Sequence, residues 1–315
     1  MKSNLFLLFI LFLFNASAQT KDSTFHEQEI VLTTATGKIY GTLTLPQETK
    51  KLPVVLIIAG SGPTDRDGNN SMMKNDALKL IAHGLAANQI ASVRFDKRLI
   101  AESKSSSFSE ADIRFETYIN DASDWITLLK KDGRFKETTV IGHSEGSLIG
   151  MLTKEKPDRL ISIAGVGFPA AAVLKKQLAS QPDAVKNISY EILDSLSAGR
   201  KVDSIPPFLG SLFRPSVQPY LISWFKYDPS VAINALKIPT LIIQGTTDIQ
   251  VDTSDAKQLA RSNPAAQLVI IDGMNHVLKT TVIDRKENLK TYFDPSLPLA
   301  DKLIPTITGF VKAKM

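Results

Sequence analysis

The sequence contains a serine in a setting that could make it a nucleophile. Ser144 is the central residue of a G-x-S-x-G motif from Gly142 to Gly146, and a short β-branched run precedes the motif. A strand, a tight turn and a helix in this order are what a nucleophile elbow requires, because the strained turn exposes the serine Oγ. We expect a side chain at either glycine to collide across the turn. We also expect the N-terminal amides of a helix at 147–153 to stabilise a negative intermediate beside Ser144.

Two further residues supply the chemistry that such a serine needs. Attack on an ester requires a base for the hydroxyl proton, a carboxylate that orients the base, and N–H donors for the oxyanion. Asp248 follows a predicted strand at 239–244, and His276 follows the next predicted strand at 267–271. Because the carboxyl ends of parallel strands meet at one edge of a sheet, we expect both side chains to lie near Ser144.

Other residues compete for both roles. Of the four histidines, His26 lies in an extended N-terminal segment, His83 on a predicted helix, and His143 beside the serine, where geometry prevents it from acting as the base. Only His276 lies in a loop at the expected edge, and the alternative for it is an exposed loop histidine without a role. The rivals of Asp248 are Asp252 and Asp255, at or near the following helix, and Asp272, at the end of the strand before His276. We favour Asp248.

Predicted strands and helices alternate along the chain. Two β-branched runs, at 29–34 and 38–45, predict a hairpin at the edge of a sheet. A continuous apolar run at 53–59 is typical of a strand buried on both faces. Further strands are predicted at 90–95, 160–164, 239–244 and 267–271, and the β-branched run at 138–141 predicts the strand before Ser144. Helical patterns lie at 77–85, 115–129, 256–261 and 303–312. This order predicts an α/β fold with a mostly parallel, eight-stranded sheet and helices on both faces.

The alternation breaks between about 168 and 236, where no clear strand pattern is present. Helical patterns at 170–179, 185–198 and 217–224 are separated by prolines. A segment of this length is too long for a plain connection, so we interpret it as an inserted helical cap that folds over Ser144.

The aromatic residues of this segment have two interpretations. They could pack the cap internally, or they could line a pocket for an acyl group. The pocket candidates are Phe208, Phe213, Tyr220 and Trp224. If these residues only pack the cap, the pocket must be built from the loops at 61–69 and 98–109.

Composition narrows the classes of function. The chain has 315 residues, 43% of them hydrophobic, which suits one large domain or a domain with an insertion. It contains no cysteine, which excludes a disulfide framework, a thiolate metal site and a cysteine nucleophile. The formal net charge of +5 is spread among acidic residues rather than clustered, so we expect no nucleic-acid partner.

Residues 1–18 have the pattern of a signal peptide. The chain starts with a positive charge at Lys2, continues with an apolar run at 5–14, and reaches the small-residue cleavage site Ala16-Ser17-Ala18. The alternative is a membrane anchor, but the apolar run is too short to span a bilayer. We therefore predict export to the periplasm or medium, cleavage near Ala18, no stable membrane insertion afterwards and a mature hydrolase domain at 19–315.

The chain resembles the α/β-hydrolases, and specifically exported bacterial serine esterases with a G-S-G-P-x-D-R-D-G-N loop. The matching segments are 60–69, 94–98, 142–146, 245–248 and 275–276, and the order Ser, Asp, His is that of the family. The roles implied are nucleophile for Ser144, base for His276, orienting carboxylate for Asp248, and oxyanion-hole donors for the backbone N–H groups of Ser61 and Glu145. The resemblance implies no metal and no organic cofactor.

One segment departs from the pattern of these relatives. They usually have D-K-R-G-x-G after the fourth strand, whereas here Leu99 and Ala101 replace the two glycines. The departure leaves the path of the 98–109 loop near the site open.

Our first hypothesis for the function is a carboxylic ester hydrolase that acts on small-molecule esters with small or medium acyl groups. A serine peptidase or a thioesterase would use the same three residues and is the alternative. A binding protein without activity on a hydrolase scaffold is the hypothesis from another class.

Overall fold

A computed structural model of the chain describes residues 25–47, 51–104 and 108–314. The predicted signal peptide at 1–18 lies outside the described residues. Within those three ranges, no helix combines the length and the hydropathy needed to cross a membrane.

Eight strands form one sheet, and the sheet carries the site. The strands are Phe25–Thr34 (β1), Gly37–Pro46 (β2), Leu52–Ile58 (β3), Ala91–Phe95 (β4), Phe135–His143 (β5), Arg159–Ile163 (β6), Thr240–Gly245 (β7) and Gln267–Ile271 (β8). Their order is β1-β2-β4-β3-β5-β6-β7-β8. The pairs β1–β2 and β2–β4 are antiparallel, and all other pairs are parallel. This confirms the predicted mostly parallel, eight-stranded sheet with the hairpin at its edge.

Helices cover both faces of the sheet. Those outside the long insertion are Ala77–Ala86 (α1), Phe115–Lys131 (α2), Glu145–Leu152 (α3), Thr253–Ser262 (α9), Arg285–Lys290 (α10) and Leu303–Lys312 (α11). Successive side chains of a strand point to opposite faces, so β3 serves two cores. Val54, Leu56 and Ile58 pack on the face covered by α2, α3 and α9. Val55 and Ile57 pack on the face covered by α1 and α11.

Five helices occupy the connection between β6 and β7. They are Ala170–Leu178 (α4), Asp183–Ser197 (α5), Gly210–Phe213 (α6), Gln218–Trp224 (α7) and Pro229–Asn234 (α8). Three correspond to predicted helices, whereas α6 and α8 were not predicted because they are short. The start of α8 is fixed by Asp228, whose carboxylate accepts a hydrogen bond from the Ser230 amide. The separation of this segment as a cap with limits at 168 and 236 stays a prediction.

The loop after β4 has two residues other than glycine in a backbone conformation that favours glycine. Leu99 and Ala101 have φ angles of 66° and 43°, which lie in the left-handed region. Ser103 fixes this path: its carbonyl accepts a hydrogen bond from the Leu99 amide, and its hydroxyl donates to the carbonyl of Asp96. Leu99 and Ala101 thus occupy positions where glycine would be unstrained.

This geometry predicts that Ala101→Gly stabilises the protein. A left-handed conformation destabilises a residue with a Cβ by about 1–2 kcal/mol, and glycine removes this strain. The greater entropy of glycine in the unfolded chain offsets roughly 0.5–1 kcal/mol of the gain. We expect the free energy of unfolding, measured by urea titration, to rise by up to about 1 kcal/mol. The matched control is Ala87→Gly, at an exposed position with φ of −59°, which should destabilise. Equal losses in both variants would contradict strain at Ala101.

Candidate active site

Ser144 lies in a strained turn between β5 and α3. Its φ and ψ angles are 54° and −120°, and its amide donates to the carbonyl of Ile163 on β6 over 2.9 Å. A Cβ at Gly142 would lie 2.3 Å from the carbonyl oxygen of Gly146, which is the predicted collision across the turn. A Cβ at Gly146 would instead lie 2.4 Å from the carbonyl oxygen of Ile58. The second glycine is therefore required by the neighbouring strand β3 and not, as we expected, by the turn itself.

The two predicted oxyanion-hole donors lie on either side of the serine. Glu145 is the first residue of α3, two residues earlier than the predicted start, and amides in the first turn of a helix have no partner within that helix. Ser61 follows Gly60, where a Cβ would lie 3.1 Å from Cβ of Ser144. Ser61, Ser144 and Glu145 all line one cavity. The two N–H groups stay the predicted donors to a negative oxygen bound next to Ser144.

Asp248 and His276 form a buried pair. Nδ1 of His276 lies 2.8 Å from Oδ2 of Asp248, and the two residues are 6% and 5% exposed. The carboxylate also accepts hydrogen bonds from the amides of Gln250 and Val251. Burial opposes ionisation of Asp248, but the charge of His276 and these hydrogen bonds outweigh it and lower the pKa of this carboxyl. With Nδ1 directed at a carboxylate, Nε2 is the nitrogen of His276 that is free to take a proton.

The rival aspartates have other partners. The carboxylate of Asp272 accepts a hydrogen bond from the hydroxyl of Thr246. The carboxylates of Asp252 and Asp255 accept hydrogen bonds from the amides of Ser254 and Gly167, respectively. Asp252 thereby caps the N-terminus of α9. Of the four candidates, Asp248 is the one whose carboxylate meets His276.

His143 has a position that the sequence analysis did not predict. Its Nε2 donates to the carbonyl oxygen of His276 over 2.9 Å, and the centroids of the two rings are 4.9 Å apart. Burial, together with the charge of His276, lowers the pKa of His143 to about 4. A neutral ring therefore holds the backbone of His276 next to the nucleophile. The sign of this role in the sequence is the histidine immediately before the serine. We had considered that histidine as a base, and rejected it, but had not considered a positioning role for it.

The site opens into two cavities that share Ser61, Ser144 and Gln250. The smaller one, of about 70 Å³, lies beside His143 and His276. The larger one, of about 470 Å³, extends under the helices between β6 and β7. Its apolar lining includes Val166, Val173, Leu174, Leu212, Val217 and Leu221.

Two of the four aromatic pocket candidates line the larger cavity. Tyr220 and Trp224 do so from α7. Phe208 does not, because it follows two prolines in a short turn and is 61% exposed to solvent. Phe213 does not either, because it is fully buried in the core at the end of α6. The loop at 61–69 contributes Ser61, Gly62 and Pro63 to the same cavity.

Across residues 25–47, 51–104 and 108–314, no group of three or more acidic or histidine side chains is arranged to hold a metal ion. The chemistry that the described residues offer is that of a serine, a histidine and a carboxylate.

Known proteins resemble this chain in sequence and in fold. Esterase EstD of Thermotoga maritima is 27% identical over 271 residues, which are 81% of this chain and 60% of EstD. The chain thus spans about three fifths of the length of that curated relative. No protein-family model matches the chain.

Two solved esterase structures show the fold. Est1E of Butyrivibrio proteoclasticus, with bound ferulic acid, has a TM-score of 0.60 at 17% identity, and the match covers 90% of this chain and 96% of Est1E. Esterase Pf2001 of Pyrococcus furiosus has a TM-score of 0.57 at 15% identity, covering 93% and 94%. The chain has the α/β-hydrolase fold.

The depressed pKa of His143 predicts a loss of stability in mild acid. Its folded pKa of about 4 lies below the ordinary value of 6.5, so between these pH values the unfolded chain binds a proton that the folded chain does not. The free energy of unfolding should therefore fall as the pH drops through this window, by up to about 1.4 kcal/mol per pH unit from this one group.

Urea titrations between pH 4 and 7 measure this slope. In His143→Gln the slope should be shallower than in the parent, because the titrating ring is gone. His26→Gln, at an exposed histidine on β1, is the control and should keep the parental slope. An unchanged slope in His143→Gln would contradict the assignment.

Proposed function

We propose that this protein is a serine carboxylic ester hydrolase that acts on small or medium acyl esters through an acyl-serine intermediate. The observation that carries the proposal is the buried pair of Asp248 and His276, which shares a site with a serine on a strained elbow. The similarity to EstD and to solved esterases supports the same reaction class.

The reaction follows from the geometry of the site. Oγ of Ser144 attacks the ester carbonyl while Nε2 of His276 takes the hydroxyl proton. Asp248 holds the imidazole in the tautomer that this requires and stabilises the imidazolium that forms. The N–H groups of Ser61 and Glu145 stabilise the oxyanion of the tetrahedral intermediate. The imidazolium then gives its proton to the leaving alcohol, and water releases the acid from the acyl-serine by the same steps.

The two cavities suggest which half of the ester goes where. The proton donor to the alcohol is His276, so the alcohol lies on the side of the smaller cavity, of about 70 Å³. The acyl group then enters the larger, apolar cavity, whose volume of about 470 Å³ lies within the usual range for small-molecule pockets, roughly 300–1,000 Å³. We infer a substrate with a compact alcohol and an apolar acyl chain.

Charge in the larger cavity favours an ester over a peptide. A peptidase that recognises a peptide amine needs an unpaired acidic group for it. Glu145 is the acidic residue among those that line the cavity, and its Oε1 lies 3.6 Å from Nζ of Lys97. Its charge is already balanced, so an amine gains little from it.

Export is part of the proposal. It is supported by the sequence of residues 1–18, with its positive start, apolar run and small-residue cleavage site. An exported enzyme would not meet acyl-CoA, which argues against a thioesterase for that substrate.

A substrate panel tests the proposal. The mature chain should hydrolyse acyl esters with higher kcat/KM than matched thioesters or aminoacyl substrates, and a fluorophosphonate probe should label it. Ser144→Ala should lose turnover and labelling while it keeps its fold, because the elbow accepts alanine sterically. Hydrolysis undiminished in Ser144→Ala would refute the mechanism, and the absence of probe labelling in the parent would favour a binding protein.

The same panel separates the aspartates. Asp248→Asn should lower kcat by about three to four orders of magnitude with little change in KM, because it misorients the base rather than the substrate. Asp272→Asn is the matched control, since its carboxylate bonds to Thr246 and not to His276, and it should keep most of the activity. The reverse result would assign the acid to Asp272.

The wall of the larger cavity should set the acyl length. Trp224→Ala enlarges the cavity and should shift relative kcat/KM toward longer chains, each methylene accommodated being worth about 1–3 kcal/mol. Because Trp224 also stacks on Phe115, Leu174→Ala offers a second enlargement at a partly exposed position. Phe208→Ala, outside the cavity, is the control. A parental chain-length profile in both enlarged variants would show that this cavity does not hold the acyl group.

A further inference from the structure

Lys97 is a buried cation next to the site that the mechanism above does not use. It belongs to the D-K-R run at 96–98 that follows β4, and it is 3% exposed. Its Nζ donates to the carbonyl oxygen of Gly60 over 2.6 Å and lies 3.6 Å from Oε1 of Glu145. The ring of Tyr118 lies under it, with Nζ 5.0 Å from the ring centroid.

Each partner of Lys97 is covalently close to a predicted oxyanion donor. The carbonyl of Gly60 and the N–H of Ser61 belong to the same planar peptide unit. A cationic hydrogen bond to that carbonyl draws electron density toward oxygen and makes the N–H at the other end a stronger donor. The second donor is the backbone N–H of Glu145, whose side chain faces the same ammonium group.

The surroundings of Lys97 make its charge necessary. Glu145 is 1% exposed, and its carboxylate acts on the phenols of Tyr118 and Tyr220. Burial, followed by the negative charge of Glu145, raises the pKa of both phenols, so they stay neutral. Without Lys97 an uncompensated carboxylate would lie beside the place where the reaction develops a negative oxygen.

We propose that Lys97 is a positioning residue of the oxyanion hole, which fixes and polarises the Gly60–Ser61 peptide through its hydrogen bond to the carbonyl of Gly60. The inference rests on the proposed function, since an oxyanion hole has a role only if Ser144 attacks a carbonyl. Lys97 itself does not touch the substrate. It acts through the N–H group of Ser61, which does.

The test is Lys97→Met, which keeps the length of the side chain and removes its charge. We expect kcat for an ester to fall about 10- to 100-fold with KM changed less than threefold, because the lost interaction is made in the transition state. A trifluoromethyl ketone forms a hemiketal with Ser144, and the pKa of its hydroxyl, followed by NMR, reports the oxyanion hole directly. We expect that pKa to rise by at least one unit in Lys97→Met.

The matched control is Arg159→Met. Arg159 is also 3% exposed, donates to the carbonyl of Ala313 over 2.6 Å and lies 3.8 Å from Oε2 of Glu137. It stands at the start of β6, at the opposite edge of the sheet from Ser144. We expect Arg159→Met to lose stability but to keep the parental kcat and hemiketal pKa.

A second variant is needed if Lys97→Met does not fold. In Lys97→Met the buried carboxylate of Glu145 has lost its ion-pair partner, which is strongly destabilising. Lys97→Met with Glu145→Gln removes both charges and should restore the fold. If Lys97 only supports the structure or balances the charge of Glu145, this double variant recovers the parental kcat and hemiketal pKa, which overturns the inference. If Lys97 polarises the Gly60–Ser61 peptide, kcat stays low and the hemiketal pKa stays raised.

The parent protein separates failure of this inference from failure of the proposed function. If the parent forms no hemiketal and hydrolyses no ester, the proposed function fails and the inference fails with it. If the parent does both and Lys97→Met matches it in kcat and hemiketal pKa, the inference alone is overturned.

Discussion

The close approach of two chain segments, at the ends of β3 and β5, is the constraint on which the site depends. The backbone of Gly146 lies against the carbonyl of Ile58 with no space for a Cβ, and a Cβ at Gly60 would be in tight contact with Ser144. This contact holds Ser144 in a backbone conformation that residues with a side chain rarely adopt. It also brings Ser61 and Glu145 to the same cavity as Ser144. The strain and the placement of the donors therefore have the same origin.

Much of the architecture could be predicted because the signals were local. Short runs of apolar and β-branched residues predicted the strands, and the order of strand ends placed Asp248 and His276 at the same edge as Ser144. The short helices α6, α8 and α10 were missed because a helix of one or two turns has no measurable apolar period. Their formation depends on tertiary contacts and on caps such as Asp228 and Asp284.

The parts of the site that sequence could not predict are those that depend on side-chain direction. Aromatic residue type alone could not separate Trp224, which faces the cavity, from Phe208, which faces solvent, because residue type does not show which way a side chain points. The contact of His143 with the backbone of His276 joins residues that are far apart in sequence, so no local pattern encodes it. The same holds for Lys97 and Gly60.

The helical segment between β6 and β7 has a consequence for the order of folding. The strand that carries Ser144 pairs with β6, whereas Asp248 and His276 follow β7 and β8, on the other side of the insertion along the chain. Pairing of β6 with β7 therefore closes a long loop, whose entropy must be lost before the strand contacts compensate for it. In a nascent chain emerging from the ribosome, the turn that carries Ser144 would be synthesised long before His276. During synthesis the serine would thus remain without its base until the last quarter of the chain had joined the sheet.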